Sequence, residues 1–142
     1  MGLRLSRDQY QRIVEHANAE LPDEACGLMA GPLGGDVVEE LYPCRNEVEP
    51  EQRPTRYRVH SSDALQADRD ATSKGLEIIG VYHSHTHTEA YPSPTDLENA
   101  PDPDWHYVLV SLRLPTPVMR SYRIVDGVIS EERLVLERPV AR

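Results

Sequence analysis

The chain has 142 residues, with 15 Lys and Arg against 24 Asp and Glu, for a net charge of −9. A composition of 39% apolar and 27% charged residues belongs to a folded chain rather than a disordered one. The acid excess excludes nucleic acid or an anionic membrane as the main partner, since both demand a basic footprint.

The length predicts one domain over 1–142. No apolar run approaches the ~20 residues of a membrane span, and Arg4, Arg7 and Asp8 interrupt any signal-peptide core. Cys26 and Cys44, separated by 17 residues, make neither a disulfide framework nor a zinc ribbon, so the expected setting is a reducing cytoplasm.

The first predicted element is a helix. Ser6 and Gln9 stand at capping-box spacing, and Tyr10, Ile13, Val14, Ala17 and Leu21 recur at helical intervals up to Pro22. A short buried strand follows over Cys26 to Ala30, a turn over Pro32 to Asp36, and a returning strand over Val37 to Tyr42. Arg45 to Thr55 is polar and carries Pro50 and Pro54, so it is expected to be an exposed loop, with a short strand at Tyr57 to Val59. Ser61 or Ser62 can cap a second helix through Lys74, ended by Gly75. Glu77 to His83 is the strongest strand signal, rich in β-branched side chains. Pro92, Pro94, Pro101 and Pro103 then surround a short helix that Thr95 can cap. Strands over His106 to Leu112, Val118 to Val125 and Val128 to Leu136 complete the chain, the last two joined by Asp126-Gly127. Helix, two strands, helix, then mostly strands predicts an α/β (α+β) fold, a mixed β-sheet flanked by helices.

The chemistry concentrates after the fourth predicted strand. Side chains two apart on a strand point the same way, so His83 and His85 can grip one metal ion while Ser84 faces the other side. Asp96 follows a proline-rich turn able to fold the chain back. Two His and one carboxylate leave a tetrahedral position open, the arrangement of catalytic rather than structural zinc. Hydrolysis also needs a base and a donor for the oxyanion. Glu24, entering a buried strand, can be the first, and Ser93 the second. Each has a plain structural alternative: a polar pair at a strand end for the histidines, helix capping for Asp96, a turn residue for Ser93, a helix-end carboxylate for Glu24. Cys26 is expected in the core. His87 is expected on a loop rim, His106 in a structural role or packed near the site, and His16 and His60 at the surface.

His-x-His alone is a weak signal. His83-x-His85, seven residues, Ser93, two residues, Asp96, with an upstream Glu, is a far more specific one. It resembles the JAMM signature of the MPN (Mov34) metalloprotease family, and the resemblance implies a single cytidine-deaminase-like JAMM/MPN domain. It further implies Zn2+ held by His83, His85 and Asp96, Glu24 as general acid/base, and Ser93 stabilising the tetrahedral intermediate. Pro22 to Gly27, Tyr82 to Thr86, Thr88 to Ser93, His106 to Ser111 and Arg120 to Gly127 are similar to the bacterial Mec-type branch. The likeness runs from about Leu3 to Glu132, with 46–57 a few residues longer here. That branch implies release of cysteine from the C-terminal Gly-Gly of a ubiquitin-like sulfur carrier of CysO, ThiS or MoaD type, in cysteine or related sulfur-metabolite biosynthesis. Apolar residues on the last strands form either a core face or a homodimer face.

Four rival readings share part of this pattern. A JAMM protease that trims a sulfur-carrier precursor to expose its Gly-Gly would use the same ligands. A non-catalytic MPN scaffold lacks them. A cupin shares His83-x-His85-x3-Glu89 but needs flanking glycines and a second motif that are absent. A zinc deaminase needs Pro-Cys-x-x-Cys, also absent.

Overall fold

A computed structural model describes residues 2–137, so the expected domain over 1–142 extends past it at both ends. In chain order the elements are β1 (Gly2–Ser6), α1 (Arg7–Ala19), β2 (Cys26–Gly31), β3 (Glu40–Cys44), α2 (Ser61–Ser73), β4 (Glu77–His85), α3 (Pro94–Glu98), β5 (His106–Ser111), β6 (Val118–Val125) and β7 (Val128–Glu137). The seven strands form one mixed sheet in the order β1-β7-β6-β5-β4-β2-β3. The β1–β7 and β4–β5 pairs are parallel and the others antiparallel. The sheet curls until its edges meet: the Arg4 N–H donates to the Asp36 carbonyl at 2.7 Å and the Val38 N–H to the Arg4 carbonyl at 3.0 Å. No helix among the described residues is long and apolar enough to cross a membrane.

The predicted α/β layout of a mixed sheet flanked by helices is observed, with several local corrections. β1 was not predicted as a strand; Leu3 and Leu5 alternate inward and are almost fully buried, but their partner β7 lies at the far end of the chain. β3 is Glu40–Cys44 rather than Val37 to Tyr42, because Asp36 and Val38 bond to Arg4 of β1, bridging Val37 to that strand instead of to β2. Tyr57 to Val59 forms no strand beyond the single bridge between Val59 and Asn46. The 45–55 stretch is less exposed than expected, holding a 3-10 turn at Pro50–Gln52 and burying Val48. α1 does begin with the Ser6/Gln9 capping box. α2, however, is capped by His60, whose ring accepts from the Ser62 N–H at 3.2 Å, and α3 by Ser93 rather than Thr95.

Strand alternation divides the core into two faces. One packs Leu3, Leu5, Met29, Tyr82, Val108 and Val110 under Ile13 and Ala17 of α1. The other packs Leu28, Val81, Leu109, Tyr122 and Ile124 with Ala67 of α2. Val81 lies two residues before His83, so the second face continues into both histidines at the end of β4.

Candidate active site

β4 is central in the sheet, and its last three residues are buried. His83 pairs with Cys26 of β2, which brings the chain just ahead of β2 against the histidines. Ser84 faces the opposite way and fixes that segment. Its hydroxyl accepts from the Ala25 N–H at 2.8 Å, and its own N–H donates to the Ala25 carbonyl at 3.0 Å. Glu24 is thereby held beside the site, and the residue is 4% exposed.

Asp96 arrives from α3. Its carboxylate accepts from the Ser93 N–H at 2.9 Å while the Ser93 hydroxyl accepts from the Asp96 N–H at 3.1 Å, a reciprocal capping box. The capping alternative for Asp96 is therefore true, with Ser93 rather than Thr95 as its partner, and it is also what aims them. The Ser93 hydroxyl uses a lone pair in the cap, so its proton stays free to donate elsewhere.

The donor atoms converge. Asp96 Oδ2 lies 3.2 Å from His83 Nε2 and 3.0 Å from His85 Nε2, and the two ring nitrogens are 3.3 Å apart. Ligands of a tetrahedral zinc, with bonds of about 2.0–2.1 Å, stand about 3.3 Å from one another. The triangle therefore has about the dimensions of one face of such a tetrahedron. His85 Nδ1 sits 2.8 Å from the Glu89 carbonyl, which can only accept, so Nδ1 carries a proton and Nε2, once any proton it shares with Asp96 is displaced, can turn a lone pair inward. Glu24 also places a carboxylate oxygen within 4.8 Å of both histidine donors. Unlike Asp96, Glu24 forms no ion pair or hydrogen bond with either histidine, so Asp96 makes the third corner of the triangle and Glu24 flanks it. Glu24 Oε1 is the one buried side-chain polar atom among the described residues with no hydrogen-bond partner. An orphaned acceptor beside three converging donors is what a hydrolytic metal site requires and what a purely structural cluster would avoid.

Electrostatics follow from burial. Desolvation pushes the Glu24 carboxyl up to about 8, with His85 opposing and Asp96 reinforcing. Burial also works against the charge of Asp96, but His83, both histidine hydrogen bonds and the Ser93 N–H outweigh it and hold the carboxyl well below its usual range. Burial lowers His83 against the pull of Asp96. His85 is subject to the same burial, but its contacts with Asp96 and Glu89 raise it.

Sequence reasoning missed Tyr57, whose ring stacks on His83 with centroids 4.1 Å apart and planes at 22°. No sequence signal marks it, because it comes from the 45–60 connection. His87 is exposed on the loop after β4, as expected. His106 does not approach the site: it pairs with Gly80, three positions before His83 on β4, and its Nδ1 donates to Glu132 Oε2 at 2.6 Å. His16 is not a free surface residue, since Nδ1 lies 2.7 Å from the Tyr82 hydroxyl. The cupin alternative fails because Glu89 meets His85 through its carbonyl while its side chain is exposed.

Residues 6–125 match the family model of prokaryotic homologs of the JAB domain. The chain belongs to the JAB/MPN family. It is 47% identical over 131 residues to the CysO-cysteine peptidase of Mycobacterium tuberculosis, covering 92% of this chain and 88% of that one. It is 31% identical to the desampylase of Haloferax volcanii, over 77% of this chain and 80% of that one. The solution structure of a protein from Desulfitobacterium hafniense, 34% identical, matches with a TM-score of 0.86 over 97% of this chain and 94% of that one. In this JAB/MPN chain the sheet and the α3 turn supply every side chain that the JAMM spacing singled out.

Proposed function

We propose that this protein is a zinc-dependent JAMM-type peptidase that releases cysteine from the C-terminal Gly-Gly of a ubiquitin-like sulfur carrier in the cytoplasm. The observation that carries the reading is the 3.0–3.3 Å triangle of His83, His85 and Asp96 with an unpartnered, buried Glu24 beside it. Its likeness to a CysO-cysteine peptidase supports the substrate class. His83 and His85 through Nε2, and Asp96 through Oδ2, would hold the zinc ion. When bound, that ion supplies Lewis acidity to water and to the substrate carbonyl.

The chain's own residues do the rest. Glu24 takes a proton from the attacking water as its oxygen bonds to the carbonyl carbon of the carrier's last glycine. The Ser93 hydroxyl donates to the carbonyl oxygen as it gains charge, a role its capped position prepares. Glu24 then returns the proton to the departing cysteine nitrogen as the amide C–N bond breaks, leaving the carrier carboxylate and free cysteine. Burial raises the proton affinity of Glu24 in the metal-free site, so in its ionised form it is a stronger base than an exposed carboxylate. A Gly-Gly tail lacks side chains, so it can thread a narrow cleft in extended form and be held through its backbone.

The test offers the purified enzyme two substrates, a carrier–cysteine adduct and a carrier precursor extended beyond Gly-Gly, and weighs the products. Faster conversion of the adduct to a carrier ending in Gly-Gly supports cysteine release. Preference for the extended precursor would replace this reading with precursor trimming.

A further inference from the structure

The two histidines are fixed by different means. His85 is held as metal-ligating histidines usually are, by a hydrogen bond from Nδ1 to the Glu89 carbonyl. Among the described residues, Nδ1 of His83 has no such bond, and its only hydrogen-bond-range contacts are those of Nε2 within the triangle. The terminal torsion of a histidine is broad, so the plane of its ring is set by what packs against it. What meets the His83 ring is the face of Tyr57, 4.1 Å away between centroids and within 22° of parallel.

Tyr57 is itself clamped. The side-chain amide of Asn46 donates to the Arg56 carbonyl at 2.9 Å, and its oxygen accepts from the Arg58 N–H at 3.1 Å, so one side chain grips the backbone on both sides of Tyr57. The same amide donates to the Glu24 carbonyl at 3.1 Å. The strap carries two more ties: the Arg53 carbonyl accepts from the Glu24 N–H at 2.8 Å, and the Pro54 carbonyl accepts from the Thr86 hydroxyl at 3.2 Å. The segment 46–58 therefore bridges the three parts of the site, namely the Glu24 backbone, the end of β4 and the His83 ring.

We propose that Tyr57 is a positioning residue that sets the plane of His83 by stacking, where His85 relies on its bond to the Glu89 carbonyl, and that Asn46 locks Tyr57 and Glu24 into one register. This rests on the proposed zinc reading of the triangle. The stack uses the ring and not the hydroxyl, so Tyr57→Phe should preserve it and Tyr57→Leu should abolish it. Loss of an outer partner of a metal-bound histidine weakens metal affinity by about 10- to 100-fold. Tyr57→Leu should show a loss of that size.

The experiment measures the zinc dissociation constant by chelator competition, and the visible absorption of the Co2+-loaded protein, for the full chain and its Tyr57→Phe, Tyr57→Leu and Asn46→Ala variants. Circular dichroism of each metal-free protein serves as the folding check. Expected are wild-type zinc affinity and cobalt spectrum for Tyr57→Phe. For Tyr57→Leu, zinc binding should weaken about 10- to 100-fold with an altered cobalt spectrum. Asn46→Ala should show a smaller loss of affinity together with a fall in kcat larger than the change in KM, since it also releases Glu24. Wild-type affinity and an unchanged cobalt spectrum in a folded Tyr57→Leu protein would overturn the proposal. Should that variant not fold, Tyr57→Phe still decides: an affinity loss on removing the hydroxyl alone would overturn the stack. The outcomes separate from failure of the metal reading itself, in which the wild-type chain would bind zinc no better than His83→Ala and both ideas would fall together.

Discussion

Replacing Glu24 by Gln should stabilise the metal-free fold while removing the proposed base. Glu24 is almost wholly buried, its Oε1 has no partner, and burial raises its carboxyl from an ordinary 4.5 to about 8. In the unfolded chain the group loses its proton near 4.5, and in the folded chain near 8. Between those values the folded state binds a proton that the unfolded state has released, so stability must fall as pH rises through this window. The slope is about 1.4 kcal/mol per pH unit, and the accumulated cost at the upper end is on the order of 3–5 kcal/mol. Glutamine carries no such term. Urea unfolding of chelator-treated wild type and Glu24→Gln at about pH 5, 7 and 9, read by circular dichroism, measures the gap. It should be small at the acid end, widen through neutrality and level off above about pH 8. Parallel profiles for the two proteins would refute the reasoning, because they would mean that Glu24 ionises as freely as an exposed carboxylate. Keeping a destabilising carboxylate here fits the usual conflict between stability and function at active sites.

Ser93→Ala should lower kcat by about 100-fold or more if its hydroxyl donates to the oxyanion, and loosen α3 by about 1 kcal/mol through loss of its cap; steady-state kinetics at measured zinc content separates the two effects. Glu132, which accepts from His106 and Ser121 at 2.6 Å each, is held below its usual range by those bonds despite burial. Its contribution is present above about pH 4.5 and lost as pH falls through the depressed value, so Glu132→Gln should cost about 1–3 kcal/mol at neutrality and flatten the acid limb of the stability curve. Gly80→Ala should destabilise by about 1–3 kcal/mol, since a Cβ there would run into the His106 carbonyl and stand 2.8 Å from Met29 Cε; thermal melting checks it.

What the sequence disclosed depended on how local each determinant is. The Ser6/Gln9 capping box, the β-branched run of β4 and the Asp126-Gly127 turn, with both residues at positive φ, are set by neighbours in the chain, and each appears where its residues predict. β1 was not legible because five residues with two inward leucines gain their meaning from β7, more than a hundred positions away. The misplaced start of β3 has the same origin, since Val37 and Val38 answer to Arg4. At the site, His83, His85, Ser93 and Asp96 were legible because one strand end and one capped turn place all four. Glu24 depends on the β2–β4 register, and only its place before the buried Cys26-Gly27-Leu28 run and the family spacing point to it. Tyr57 and Asn46 were invisible: a stacking face and an amide clamp leave no periodicity, and both lie in the stretch that sequence alone assigned to exposed loop and short strand. Of the two roles expected for His106 the structural one holds, but its partner, Glu132, is contributed by another strand and carried no signal in the sequence.

The most direct test of the central claim is mass spectrometry of a carrier–cysteine adduct incubated with wild type and Glu24→Gln, both shown to hold equal zinc. The account predicts a carrier ending in Gly-Gly and free cysteine from the wild type, and an intact adduct from the variant. Cleavage at the wild-type rate by zinc-loaded Glu24→Gln, or by wild type stripped of metal, would contradict it.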